Sequence, residues 1–118
     1  MGGNYSTTEM DTGFTWLDGK PIYKKTIDWG PMPNNARVNK TGQYPNGANV
    51  IWIEGIAIQR VSSGGGAVGV HNIPYVSATG NYDTVFCSDK SVGQVSVATD
   101  SDRSTWNAYI TLYYTKAS

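Results

Sequence analysis

The segment Ala108-Tyr109-Ile110-Thr111-Leu112-Tyr113-Tyr114-Thr115 alternates without a break, with Ala108, Ile110, Leu112 and Tyr114 on one parity and Tyr109, Thr111, Tyr113 and Thr115 on the other. Successive strand side chains point to opposite faces, so this pattern commits the segment to a sheet, with one face on a core and a Thr/Tyr face at the surface. A helix would scatter the same residues around its circumference. Elsewhere the apolar residues are mainly Val, Ile, Tyr and Trp, glycine is frequent at 14 residues, and only 15% of the chain is charged. That mixture favours strands and tight turns over helices.

Turn chemistry divides the chain. Asp18-Gly19 lies between Phe14–Leu17 and Ile22–Ile27, and glycine accepts positive φ at no steric cost, so residues 14–29 are predicted to form a β-hairpin or β-arch. Pro21 suits the first residue of a strand or an edge. The segment Ala48–Arg60 is apolar on both parities; its β-branched residues and internal Gly55 favour a strand over a buried helix, and it is expected at the centre of a sheet, covered on both faces. Further strands are predicted at Val68–Val76, Tyr82–Ser88 and Val92–Thr99, separated by Ala78-Thr79-Gly80-Asn81 and Asp89-Lys90-Ser91. Short strands at near-regular spacing point to an all-β, antiparallel β-sandwich, jelly-roll-like or immunoglobulin-like, with a partly closed barrel as the alternative. The stretch from Gly30 to Gly47 has no convincing periodicity and is expected to be a long loop, with Ser62-Ser63-Gly64-Gly65-Gly66 as a flexible tip.

The 118 residues fit one domain, assigned to 5–118, with residues 1–4 taken as a tag or linker remnant. Nine basic and nine acidic side chains cancel without forming a block, which argues against nucleic acid and against a polybasic membrane anchor. One cysteine, Cys87, makes an intramolecular disulfide impossible, and with one histidine it cannot supply a Cys/His metal site. Cys87 is expected as a small buried strand residue. No apolar stretch approaches membrane-span length, and the N-terminus lacks the pattern of a signal peptide.

Several constellations have plainer roles. Gly64, Gly66 and Gly69 fit the letters of a dinucleotide loop but lead into Val70-His71-Asn72-Ile73-Pro74, which is no helix start. Glycoside hydrolysis needs two carboxylates at a set separation; Glu54 in its apolar strand is better explained by pairing with Arg60 or Arg103, and Asp18 and Asp28 by capping. Asp100-Ser101-Asp102 offers too few oxygens for calcium, so an Asx-type turn with Arg103 tied to a carboxylate is preferred. His71 alone is read as a hydrogen-bonded loop residue. The triplets Asn4-Tyr5-Ser6 and Asn39-Lys40-Thr41 match glycosylation sequons and are set aside for want of a secretion signal. Four Trp and eight Tyr are a large share for this length, and such rings suit protein interfaces and sugar faces. Trp16, Trp29 and Trp52 are assigned to the core or a subunit interface, whereas Tyr44, Tyr75 and Trp106 lie beside loops and are expected at the surface.

Three blocks carry a resemblance: Tyr5-Ser6-Thr7-Thr8-Glu9 with Trp16-Leu17-Asp18-Gly19-Lys20-Pro21-Ile22-Tyr23-Lys24-Lys25-Thr26-Ile27, then Gly30-Pro31-Met32-Pro33-Asn34-Asn35, and Asp102-Arg103-Ser104 with Ala108–Lys116. With Val50–Ile58 and Ile73-Pro74-Tyr75 between them, the chain from Tyr5 to Lys116 resembles the C-terminal tip domain of tailed-phage or prophage tail fibre and baseplate proteins. The resemblance implies a β-sandwich at the distal end of a fibre in the virion, a homotrimer that serves host recognition at the bacterial surface; the expected role is attachment to a saccharide or other receptor, with no enzymatic activity and no cofactor. It carries over no binding residues, because the matched positions are framework; specificity is expected in the loops Ser63–Gly69 and Asn39–Asn46. The candidate ligand-binding residues are Tyr44, His71, Tyr75, Asp100, Asp102, Arg103 and Trp106, with no catalytic or metal residues assigned. A purely structural trimerisation module and a saccharide depolymerase are the rival readings.

Overall fold

The computed structural model describes residues 5–60 and 69–117. The Ser62–Gly66 tip, Gly64 and Gly66 of the dinucleotide-like pattern, Val68 and residues 1–4 lie outside the described residues. Among the described residues, nine strands, β1 Met10–Thr15, β2 Pro21–Pro31, β3 Arg37–Lys40, β4 Asn49–Gln59, β5 Val70–Ile73, β6 Tyr75–Val76, β7 Tyr82–Asp89, β8 Gln94–Thr99 and β9 Trp106–Thr115, form two antiparallel sheets. One sheet has the order β1-β2-β9-β4-β5 and the other β3-β8-β7-β6. The two pack face to face as an antiparallel β-sandwich.

The hairpin forms where Asp18-Gly19 places it. Gly19 sits at φ +83, Asp18 Oδ1 accepts from the Lys20 amide at 3.0 Å, and Pro21 opens β2. A turn needing left-handed backbone is built from the residue that adopts it most cheaply.

Between the sheets, Ile27, Trp29, Ala57, Ile73, Val95, Val97, Ala108, Ile110, Leu112 and Tyr114 make the core. Gly55 serves this packing: a Cβ there would lie 2.9 Å from Ile73 Cβ and 3.4 Å from Val85 Cγ1. The inward parity of β9 is the one its alternation marks, Ala108 through Tyr114.

Four expectations are corrected. β9, not β4, is the centre of its sheet, hydrogen-bonded on both sides by β2 and β4. The outward residues Trp52, Ile56 and Ile58 of β4 are exposed, so apolar residues on both parities reflect an uncovered apolar face rather than cover on both sides. Conversely Thr111, Tyr113 and Thr115 on the outward face of β9 are buried. A central strand is shielded by its neighbours: Thr26 Oγ1 and Thr111 Oγ1 meet at 2.9 Å, and Lys24 Nζ lies over the Tyr5 ring at 4.0 Å and the Tyr113 ring at 5.6 Å.

The supposed 30–47 loop contains β3, paired with β8 from Arg37↔Ala98 to Lys40↔Val95. Its Arg-Val-Asn-Lys composition is that of a polar edge strand, which has no apolar period to betray it. The segment Val68–Val76 is not one strand: β5 and β6 join different sheets on either side of Pro74, whose peptide bond to Ile73 is cis. Residues Lys90–Val92 form a single 3-10 turn before β8.

Register gives the sandwich two distinct ends. Asn49 pairs with Thr115 and Tyr23 with Tyr114, so the β1–β2 turn, the start of β4 and the end of β9 share one end. At the other, Ile58 pairs with Val70 and Asn107, and Tyr82 with Val76, which gathers β5, β6 and the 100–106 turn.

Candidate binding site around Asp83

Asp83 occupies the inward parity of β7 together with Val85 and Cys87, opposite Thr99, Val97 and Val95 of β8. A carboxylate there must be paired, because an unpaired buried charge costs far more than folding can spare. Its side chain is 0% exposed, with Oδ2 2.7 Å from His71 Nε2 and Oδ1 3.1 Å from Arg103 Nε. An ionised carboxylate only accepts, so His71 carries its proton on Nε2 and donates it to Asp83.

The clamp organises rings. His71 stacks on Tyr75, with centroids 3.9 Å apart and planes 16° apart, and lies 4.6 Å from Trp106. The Arg103 guanidinium sits 5.7 Å from the Tyr75 ring and 5.6 Å from that of Trp106. Gly69 makes room for the indole: a Cβ at this position would stand 2.6 Å from Trp106 Cη2. Tyr75 and Trp106 each remain partly exposed.

Of the sequence-derived candidates, His71, Tyr75, Arg103 and Trp106 thus converge on one carboxylate. Asp100 is a neighbour in a supporting role, its Oδ1 accepting from the Tyr82 amide at 2.8 Å. Asp102 makes the expected Asx-type turn, accepting from the Ser104 amide at 2.9 Å; hydrogen bonds from the Ser104 hydroxyl and amide hold its carboxyl below the ordinary range. Arg103 is tied to a carboxylate as expected, and that carboxylate is Asp83, because the guanidinium turns inward to β7. Neither Arg103 nor Arg60 pairs with Glu54: Arg60 donates instead to the Ser104 carbonyl.

Tyr44 is a correction. It is 3% exposed, packed against Tyr114 at a centroid distance of 6.4 Å, at the opposite end of the sandwich. Burial, and secondarily the adjacent Cys87, pushes its phenol up to about 12. It is core, as is Trp29, whereas Trp16 and Trp52 are exposed at 40% and 61%. Cys87 is half-buried rather than fully buried, and burial raises its thiol.

Asp83 itself was missed. The signal was present in its parity: it shares a face with Val85 and Cys87 in a strand whose residues were already assigned. A charge on the inward face of a strand announces a partner, though it does not name it.

Chemically the site is an aromatic platform with a guanidinium beside it. Among the described residues, no group of three or more His, Cys, Asp or Glu side chains is placed to hold a metal ion. Comparison with protein-family models, curated proteins and solved structures finds no match.

Proposed function

We propose that this chain is a receptor-binding tip domain of a tail-fibre type, acting as a homotrimer in the virion and holding a saccharide of the bacterial surface against Tyr75 and Trp106. The observation that carries the reading is the Asp83 clamp, which fixes His71, Tyr75, Arg103 and Trp106 together at one end of the sandwich. Ring faces suit the apolar faces of sugars, and a guanidinium suits their hydroxyls or carboxylates. Three copies on one fibre would multiply weak single-site contacts by avidity.

The resemblance supplies the viral context, and the all-β sandwich fits it. Binding of the purified domain to glycan arrays and to host cells tests the reading, with Tyr75→Ala as the variant. Loss of binding in a folded Tyr75→Ala protein is expected; binding that persists unchanged would move the receptor site elsewhere. Release of reducing ends from host polysaccharide would replace the reading with a depolymerase.

A structural trimerisation module has one observation in its favour, the uncovered Trp52, Ile56, Ile58 and Val70 on the outer sheet face. An assembled protein that binds neither glycans nor cells would favour it.

A further inference from the structure

Glu54 lies on the outward face of the five-stranded sheet, where register sets it beside Thr111 of β9 and, across that strand, Thr26 of β2. One step along the same face stand Ile56, Tyr109 and Asp28, and one step the other way Trp52, Tyr113 and Lys24. Two small threonines between rows of larger side chains leave a depression. Tyr5 adds a further wall, its segment pinned where the Thr26 amide donates to the Ser6 carbonyl at 2.8 Å. The resulting cavity of about 280 Å³ is lined by Tyr5, Thr26, Glu54, Ile56, Tyr109 and Thr111.

The floor is satisfied internally, since the Thr26 and Thr111 hydroxyls bond each other at 2.9 Å. The carboxylates around it have no such partner. Ion pairs among the described residues join His71 and Arg103 to Asp83 and Lys116 to Glu9, so no contact of this kind neutralises Glu54 or Asp28. The remaining charge on this face of β2, β9 and β4 is Lys24, 4% exposed, with its Nζ 4.0 Å from the Tyr5 ring centroid and 5.6 Å from that of Tyr113. Two carboxylates against one ammonium leave the face net negative. Lys24 belongs to the Tyr113 row, whereas Asp28 stands opposite Tyr109 and Glu54 diagonal to it, so the negative end is the Tyr109 end. Lys24 also shows what these rings can do: its Nζ is buried without a hydrogen-bond acceptor among the described residues and rests on ring faces. The Glu54 charge reaches the same rings, being the next cause after burial that raises the Tyr113 phenol.

We propose that this cavity binds a small organic ammonium, its headgroup against the rings of Tyr109 and Tyr5 and its charge met by Glu54, with Asp28 reinforcing the field from across Tyr109. Ring faces attract a cation that sheds water, and a carboxylate in the wall supplies the counter-charge. At about 280 Å³ the cavity falls just below the roughly 300–1,000 Å³ of pockets for drug-sized ligands, which suits a single headgroup rather than an extended molecule. The site shares no residue with the Asp83 cluster, so its failure would leave the receptor reading standing.

Amide NMR titration of the full chain with choline, with n-butylammonium and with the uncharged tert-butyl isostere of choline tests it. At least one of the two cations is expected to shift the amides of Thr26, Glu54, Ile56, Tyr109 and Thr111 saturably, and the uncharged isostere to leave them in place. Tighter choline assigns a fully substituted headgroup, and tighter n-butylammonium a primary amine such as a lysine side chain carries. Tyr109→Leu should weaken the tighter probe about five- to thirtyfold, the range of one cation–ring contact from exposed to desolvated. Glu54→Gln keeps the side-chain shape and should weaken it about fivefold, the value of a charge contact at about 4 Å even at the dielectric of water. That variant decides the matter even where Tyr109→Leu disturbs the sheet. No saturable shift at these amides with either cation, equal shifts with the uncharged isostere, or unchanged affinity in folded Glu54→Gln would each overturn the site.

Discussion

Replacing Asp83 by Asn keeps the shape of the side chain and removes its charge, which isolates the electrostatics of the clamp. Asp83 is fully buried and accepts from His71 at 2.7 Å and from Arg103 at 3.1 Å. Each hydrogen bond to a charged group contributes about 1.5–3 kcal/mol, and breaking a buried ion pair from one side costs about 3–5 kcal/mol. An amide oxygen can still accept one donor, but its NH2 then faces the other, so a loss of about 3 kcal/mol is expected. In a domain of this size that corresponds to a fall in melting temperature of roughly 10–15 °C. Urea denaturation followed by tryptophan fluorescence reads the change directly, because Trp106 lies in the cluster. Receptor binding should weaken with it, since Tyr75 and Trp106 lose their support. A folded Asp83→Asn protein that loses less than about 1 kcal/mol, the net value of an ordinary hydrogen bond, would refute the clamp as the organising element.

Other consequences follow from single contacts. Gly93 lies at φ +60 after the 3-10 turn, and a Cβ there would run into the Tyr44 carbonyl; Gly93→Ala should cost about 2–4 kcal/mol in urea denaturation, since the obstacle is backbone. Burial works to raise the Glu9 carboxyl, but hydrogen bonds from Lys116 and Tyr114 outweigh it and hold the group below its usual 4.5. Its folded value being the lower, this contribution is complete above pH 4.5 and lost as the pH falls through the depressed value. The stability gap between wild type and Glu9→Gln should therefore be constant near neutrality and vanish in acid, measured as denaturation midpoints against pH. Burial raises the phenols of Tyr44 and Tyr114 above the ordinary 10.0. Their contribution is present below pH 10 and lost as the pH climbs through the raised values. Alkaline difference spectra should show both phenols ionising above pH 10, and a Tyr44→Phe protein should lose part of that late absorbance step.

Hairpin and strand positions were legible because they depend on neighbours in sequence. Asp18-Gly19 made its turn, Tyr82–Ser88 and Ala108–Thr115 became β7 and β9, and the inward parity of β9 was right. Edges and coverage were less legible. β3 has no apolar period, β5 and β6 part company at Pro74, and Tyr44 lies beside a loop yet packs under Tyr114. For the site, Tyr75, Trp106, His71 and Arg103 could be singled out as residue types with useful chemistry. That they share one carboxylate could not.

Local signals suffice to make this chain β, to place the Asp18-Gly19 turn and to mark the inward parity of β9, since φ preferences and two-residue periodicity act between neighbours in sequence. Long-range strand pairing set β9 rather than β4 at the centre and brought Asp83 to His71 and Arg103. Those outcomes depend on how strands distant in sequence are ordered across a sheet, and on charges that lower their desolvation cost only when the fold brings their partners within reach.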